Sequence, residues 1–134
     1  MENNLVNDLL YKDECYKIIG LCIKIHNKLG KGFKEIVYKD ALELELQMNG
    51  IPYEREKLFN VSYEEKTLLH KFYSDFFVFN SIILEIKATS FFHPNNFVQT
   101  FNYLKASQVE LGIAINFGEK RLKFRRIVSS HQHP

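Results

Sequence analysis

Ile82-Ile83-Leu84-Glu85-Ile86-Lys87-Ala88 is an apolar run broken by two charges set two residues apart. Branched side chains at this density favour a pleated strand, whose two-residue period puts Glu85 and Lys87 on one face, ~7 Å apart along the chain. A segment this apolar is expected to be buried on both faces of a sheet. An ion carried into such a place costs several kcal/mol unless it is paired or bound to metal, so the two charges require a partner or a task.

The partner is sought just upstream, in Phe72-Tyr73-Ser74-Asp75-Phe76-Phe77-Val78-Phe79. Directly opposed residues of an antiparallel pair share a face, so Asp75 stands opposite Glu85 if the connecting loop holds an odd number of residues. A three-residue loop Phe79-Asn80-Ser81 does this, pairing Val78 with Ile82 and Phe76 with Leu84. In that register Phe76, Val78, Ile82, Leu84 and Ile86 fill one face, while Asp75, Glu85 and Lys87 converge on the other. A two-residue Asn80-Ser81 turn breaks the convergence unless a bulge restores it.

Away from this hairpin the period changes. Cys15, Ile18, Ile19, Cys22, Ile25 and Leu29 recur at steps of three and four, which predicts an amphipathic helix with Asp13 as N-cap and Gly30 and Gly32 as its stop. A second helix is predicted from about Lys34 to Met48, closed by Asn49-Gly50. Strands are predicted over residues 53–63 and 68–79, forming an antiparallel meander with the Ile82 run through short polar turns at Glu64-Glu65-Lys66 and Asn80-Ser81. His93-Pro94 starts a third helix reaching about Gln108, and strands follow over 111–117 and 121–128. This order predicts an α+β domain in α/β/α layers, with a central mixed sheet of about five strands flanked by helices.

The 134 residues, 46% of them hydrophobic, suffice for one core without disulfide staples, and a single domain over 1–134 with its core at about 15–128 is expected. Cys15 and Cys22 fall two helical turns apart, ~10 Å, too far for a disulfide. A net charge of +2 excludes calling the chain a polyanion binder on charge alone. The MENNLVNDLL start lacks a basic segment followed by an apolar one, and no run reaches the ~18 apolar residues of a membrane span. A cytoplasmic setting is therefore expected, with the polar SSHQHP ending as a frayed tail.

Two carboxylates and a lysine on one sheet face suit a hard divalent cation, Mg²⁺ being the usual choice where phosphate is the substrate. The lysine then orients or helps deprotonate an attacking water, or offsets charge on the phosphorane. The same triplet also serves as a buried ion-pair network with no catalysis, and the spacing alone leaves both readings open.

The stretch Gly32-Phe33-Lys34-Glu35-Ile36-Val37-Tyr38 resembles the motif of the GxxExxY protein family, assigned to the PD-(D/E)XK nuclease superfamily. Further matches follow in the same order: Leu29-Gly30-Lys31 before the motif, Asp75, Glu85-Ile86-Lys87-Ala88, Gln99, Asn102-Tyr103-Leu104-Lys105 and Ile115-Asn116-Phe117-Gly118. The resemblance implies a restriction-endonuclease-like core in which Asp75 and Glu85 hold metal, Lys87 is catalytic and Glu35 completes the acidic cluster. Gln99 and Tyr103 are similar to the QxxxY element of RecB-type nucleases, in which a helix supports the site. Core packing explains Tyr103 equally well, and helix-dipole complementarity explains Glu35. Ser74 departs from the proline of the superfamily name.

The resemblance implies a nuclease acting on nucleic acid, DNA before RNA, with Mg²⁺ as cofactor and Mn²⁺ able to substitute. A module that keeps the fold to bind nucleic acid or protein without turnover is the alternative. The chain's small size leaves room for a homodimer or partner protein to help grip substrate. His26, just before the glycine turn, is read as a surface or packing residue, and His70, His93, His131 and His133 receive no role. Arg121, Lys123 and Arg125 share one face of the last strand, as a phosphate-contacting stripe or as the charged guard of an edge strand.

Overall fold

The computed structural model describes residues 10–129, so the ending from residue 130, with His131 and His133, lies outside the described residues. Helix α1 (Lys12–Leu29) buries Cys15, Ile18, Ile19, Cys22 and Ile25, as their spacing requires, and both cysteines are free. Its N-cap is Tyr11 rather than Asp13. The aspartate lies in the first turn, where its charge complements the positive helix end. Gly30 and Gly32 stop the helix at φ +69° and +110°, a region that only glycine enters at little cost.

Helix α2 (Glu35–Met48) follows at once, and the spacing from Gly32 to Tyr38 has a visible cause. The Tyr38 hydroxyl donates to the Gly30 carbonyl at 2.6 Å and accepts from the Phe33 N–H at 3.3 Å. One buried side chain thus sews the glycine turn to α2, and its ring stacks on Phe117 at 4.7 Å. Glu35 is left at the first turn of the helix.

Next come β1 (Tyr53–Phe59), β2 (Ser62–Tyr63), β3 (Lys66–Thr67), β4 (Phe72–Val78) and β5 (Ile82–Lys87), then α3 (Pro94–Ser107), β6 (Leu111–Asn116) and β7 (Lys123–Val128). The long strands expected over 53–63 and 68–79 are each cut short. Between them β2 and β3 form their own small hairpin around Glu64 and Glu65, both at positive φ. The main sheet runs β1-β4-β5-β6-β7. Strands β1, β4 and β5 form the expected antiparallel meander, α3 carries the chain over to β6 parallel to β5, and β7 closes the edge antiparallel.

The β4–β5 register is Val78↔Ile82, Phe77↔Ile83 and Phe76↔Leu84, the one that a three-residue loop dictates. On one face Phe76, Val78, Ile82, Leu84 and Ile86 pack with α1 and α2 side chains such as Ile18, Tyr38 and Leu42. On the other, Ile83, Ala114 and Ile127 pack with Leu104 of α3. Helices therefore cover both sides of a mixed sheet, and each fully buried aliphatic or aromatic side chain contributes about 1.5–3 kcal/mol. Strand β5 has five of its six residues buried, Glu85 among them.

Candidate active site

Pairing between β4 and β5 ends at Phe76↔Leu84, and Asp75 is the next residue. Its Oδ2 accepts the Ile86 N–H at 2.7 Å, so a side chain takes the place of a main-chain ladder partner. Its Oδ1 accepts from Lys39 Nζ at 3.0 Å. Lys39, on α2 and almost fully buried, also stands 3.7 Å from Glu56.

Glu85 is only 5% exposed, and its Oε1 has no hydrogen-bond partner. Burial, reinforced by the charge and contact of Asp75, pushes its pKa from 4.5 up to about 9; Lys87 and the Asp75 backbone pull the other way. The same field reaches outward. Burial and then Asp75 raise Glu35, opposed by Lys87 and Lys39. Burial, then Glu85 and Asp75, raise the Tyr103 hydroxyl. The Tyr103 ring lies flat on Phe72, centroids 4.0 Å apart, which fixes α3 against the end of β4.

Glu35, Asp75, Glu85, Lys87 and Tyr103 therefore share one electrostatic neighbourhood. Gln99 lies on α3 with its side chain exposed. His26 is a packing residue, buried with its Nε2 2.9 Å from the Glu119 carbonyl oxygen. His93 caps α3 by accepting the Asn95 N–H.

Lys39 was not expected from the sequence, although its place four residues after Glu35 puts both on one helix face. Asn116 was expected only as part of a motif. It is the register partner of Lys87, and its side chain holds the Thr89 backbone by both N–H and carbonyl. Gly118 presses on the same segment, since a Cβ there would stand 2.2 Å from the Thr89 oxygen. The exit from Lys87 is thus clamped by the end of β6.

Over residues 12–127 the chain matches the family model of the PD-(D/E)XK nuclease superfamily. It belongs to that superfamily. Among solved structures, the crystal structure of SSO0001 superposes with a TM-score of 0.56 at 22% identity, covering 69% of this chain and 48% of that one. This is a likeness of fold, and this chain spans about half the length of that protein. No curated protein matches the chain. No helix among the described residues is long and apolar enough to cross a membrane.

PD-(D/E)XK nucleases typically use divalent metal ions, and the donor set here fits one. The unpartnered Oε1 of Glu85 beside Asp75 marks a pair of buried carboxyls short of positive charge, where a cation could take the place of the Glu85 proton. Among the described residues no three His, Cys, Asp or Glu side chains are gathered to cage an ion. Asp75 is in contact with Glu85, and Glu35 is joined to Asp75 through charge. Two carboxylates, with the remaining positions left to water, suit a hard divalent cation.

Proposed function

We propose that this chain is a nuclease that hydrolyses phosphodiester bonds in DNA, with RNA the alternative polymer, using Mg²⁺ or Mn²⁺. The observation that carries the reading is the buried Glu85 carboxyl beside Asp75, whose Oε1 has no partner, with Lys87 two residues along the same strand. Asp75 and Glu85 hold the cation, which supplies Lewis-acid polarisation of the scissile phosphate. Lys87 orients the attacking water and donates hydrogen bonds to the charge that develops on the phosphoryl oxygens. Glu35 tunes the charge of the pair, Tyr103 buttresses it through Phe72, and Gln99 awaits substrate at the rim. The Gly32–Tyr38 spacing supports placing the chain in the GxxExxY branch.

Incubating the purified protein with single- and double-stranded DNA and RNA, with Mg²⁺ or Mn²⁺, tests this. Cleavage is expected to vanish in Lys87→Ala and Glu85→Gln; activity that persists unchanged in both belongs to another site or a contaminant. A second reading, a fold kept for binding without turnover, is favoured by Lys39, which already neutralises Asp75 at 3.0 Å. Calorimetry decides between them, because a non-catalytic module takes up no Mn²⁺.

A further inference from the structure

Helix α3 and strand β7 face each other across an open groove of about 360 Å³, lined by Phe97, Val98, Phe101, Arg125 and Ile127 among others. Val98 is 59% exposed and Phe101 39%. Cations sit over both rings: the Arg125 guanidinium is 4.6 Å from the Phe97 centroid, and Lys105 Nζ is 5.9 Å from that of Phe101. Lys123 shares the α3-facing side of β7 with Arg125 by the period of the strand.

The net charge of +2 conceals how the charge is distributed. The first 85 residues hold 11 lysines and arginines against 14 acids, whereas the residues after Glu85 hold seven against two. Those two are Glu110 and Glu119, and neither lines the groove. Glu119 is engaged by Asn116. Helix α3 contains no acid at all.

We infer that this groove binds single-stranded nucleic acid, with bases laid on Phe101 and Val98 and phosphates met by Arg125, Lys105 and Lys123. Aromatic rings interleaved with cations on an acid-free face match the two chemistries of a polynucleotide strand, a π-face and a phosphate in each unit. The strand must be unpaired, because a duplex hides its base faces. Phe101 and Tyr103 are ~200° apart around α3, so the groove lies on the flank away from the carboxylate pair. It holds a flank of the substrate, not the bond to be cut. Only the purpose of that grip rests on the nuclease reading.

The test is fluorescence anisotropy with labelled oligothymidylate and oligouridylate of about 15 nucleotides, within the span such grooves cover. Measurement in EDTA with the full chain keeps catalysis out of the readout, and comparing the two oligomers tells whether the sugar matters. Phe101→Ala, Arg125→Gln and Lys105→Gln are each expected to weaken binding about fivefold or more, from the usual worth of a stacked base or a phosphate contact. The remote exposed Lys17→Gln should bind as the parent does. Thermal melts identify any variant that fails to fold, and the exposed Lys105→Gln keeps the test alive if Phe101→Ala does.

Unchanged binding in folded Phe101→Ala and Arg125→Gln overturns the inference. So does equal affinity for a duplex of the same length, or displacement by polyglutamate at matched charge, which would make the groove a general acidic-ligand site. A parent protein that binds through the groove yet cleaves nothing with Mg²⁺ or Mn²⁺ removes the nuclease reading and leaves the groove standing.

Discussion

Helix α2 carries two clusters, begun by neighbouring residues, in which a cation stands between carboxylates. On the outer side Arg55 bonds Asp40 at 2.8 Å and Glu43 at 2.9 Å, and Tyr53 donates to Glu43 while accepting from Gln47. On the inner side Lys39 bonds Asp75, but Glu85 beside it is left with a buried oxygen that nothing satisfies. The outer cluster is a closed ledger of donors and acceptors, half wet, of the kind that fastens a helix to a strand. The inner one keeps a buried acid at about 9, a state that a purely structural network would relax by supplying one more donor. That open valence separates a site from a fastening, and each of the following experiments presses on the distinction.

The largest effect is expected at the strand itself. Lys87→Ala should lower cleavage by about 10²–10⁴, the usual worth of a group that handles the proton or charge of the transition state. Circular dichroism should show the fold intact, since Lys87 lies at the end of β5. Next is Gly118→Ala, whose Cβ would meet the Thr89 oxygen at 2.2 Å and the Ala88 carbonyl carbon at 2.6 Å. It should cost about 1–3 kcal/mol by denaturant titration, as overpacking does, and reduce activity by displacing the exit from Lys87.

The third test uses pH. Metal-free Glu85 keeps its proton up to about 9 in the folded state, whereas the unfolded chain releases it near 4.5. Its contribution to stability is therefore full below about pH 4.5 and is lost as pH rises toward 9. The denaturation midpoint should fall across that window in the parent and stay flatter in Glu85→Gln. Metal must displace the same proton, so apparent Mn²⁺ affinity should climb with pH over the range. The smallest effect belongs to the outer cluster: Arg55→Ala should cost about 1 kcal/mol or less and leave cleavage unchanged. If Arg55→Ala instead matches Lys87→Ala in activity, the two clusters are not different in kind.

The hairpin was legible in the sequence because two constraints agreed there. The alternation of Phe76, Val78, Ile82, Leu84 and Ile86 named the buried face, and only an odd loop kept that alternation in phase. Helix ends were legible where glycine at positive φ made them. The polar turn at Glu64-Glu65 was legible too, but not the β2–β3 pairing around it, because two-residue strands are too short to show a period. Of the site, Asp75, Glu85 and Lys87 followed from strand period, whereas Glu35 and Tyr103 needed the family resemblance. Lys39 escaped because a lysine on a helix reads as solvated until the strand beneath it is known. The basic side of the last strand was legible from its two-residue period, but not its pairing with Phe97, Phe101 and Lys105, because nothing local says that α3 lies against that strand.

Asp75 has one oxygen on the Ile86 amide, and this gives the site a spectroscopic voice. The Ile86 amide proton hears directly whatever draws electron density from that carboxylate: a metal ion, a proton, or the loss of Lys39. In a ¹⁵N-labelled sample its resonance should move on Mn²⁺-free Mg²⁺ titration before any substrate is added. A binding curve can then be read from a backbone atom that takes no part in the chemistry.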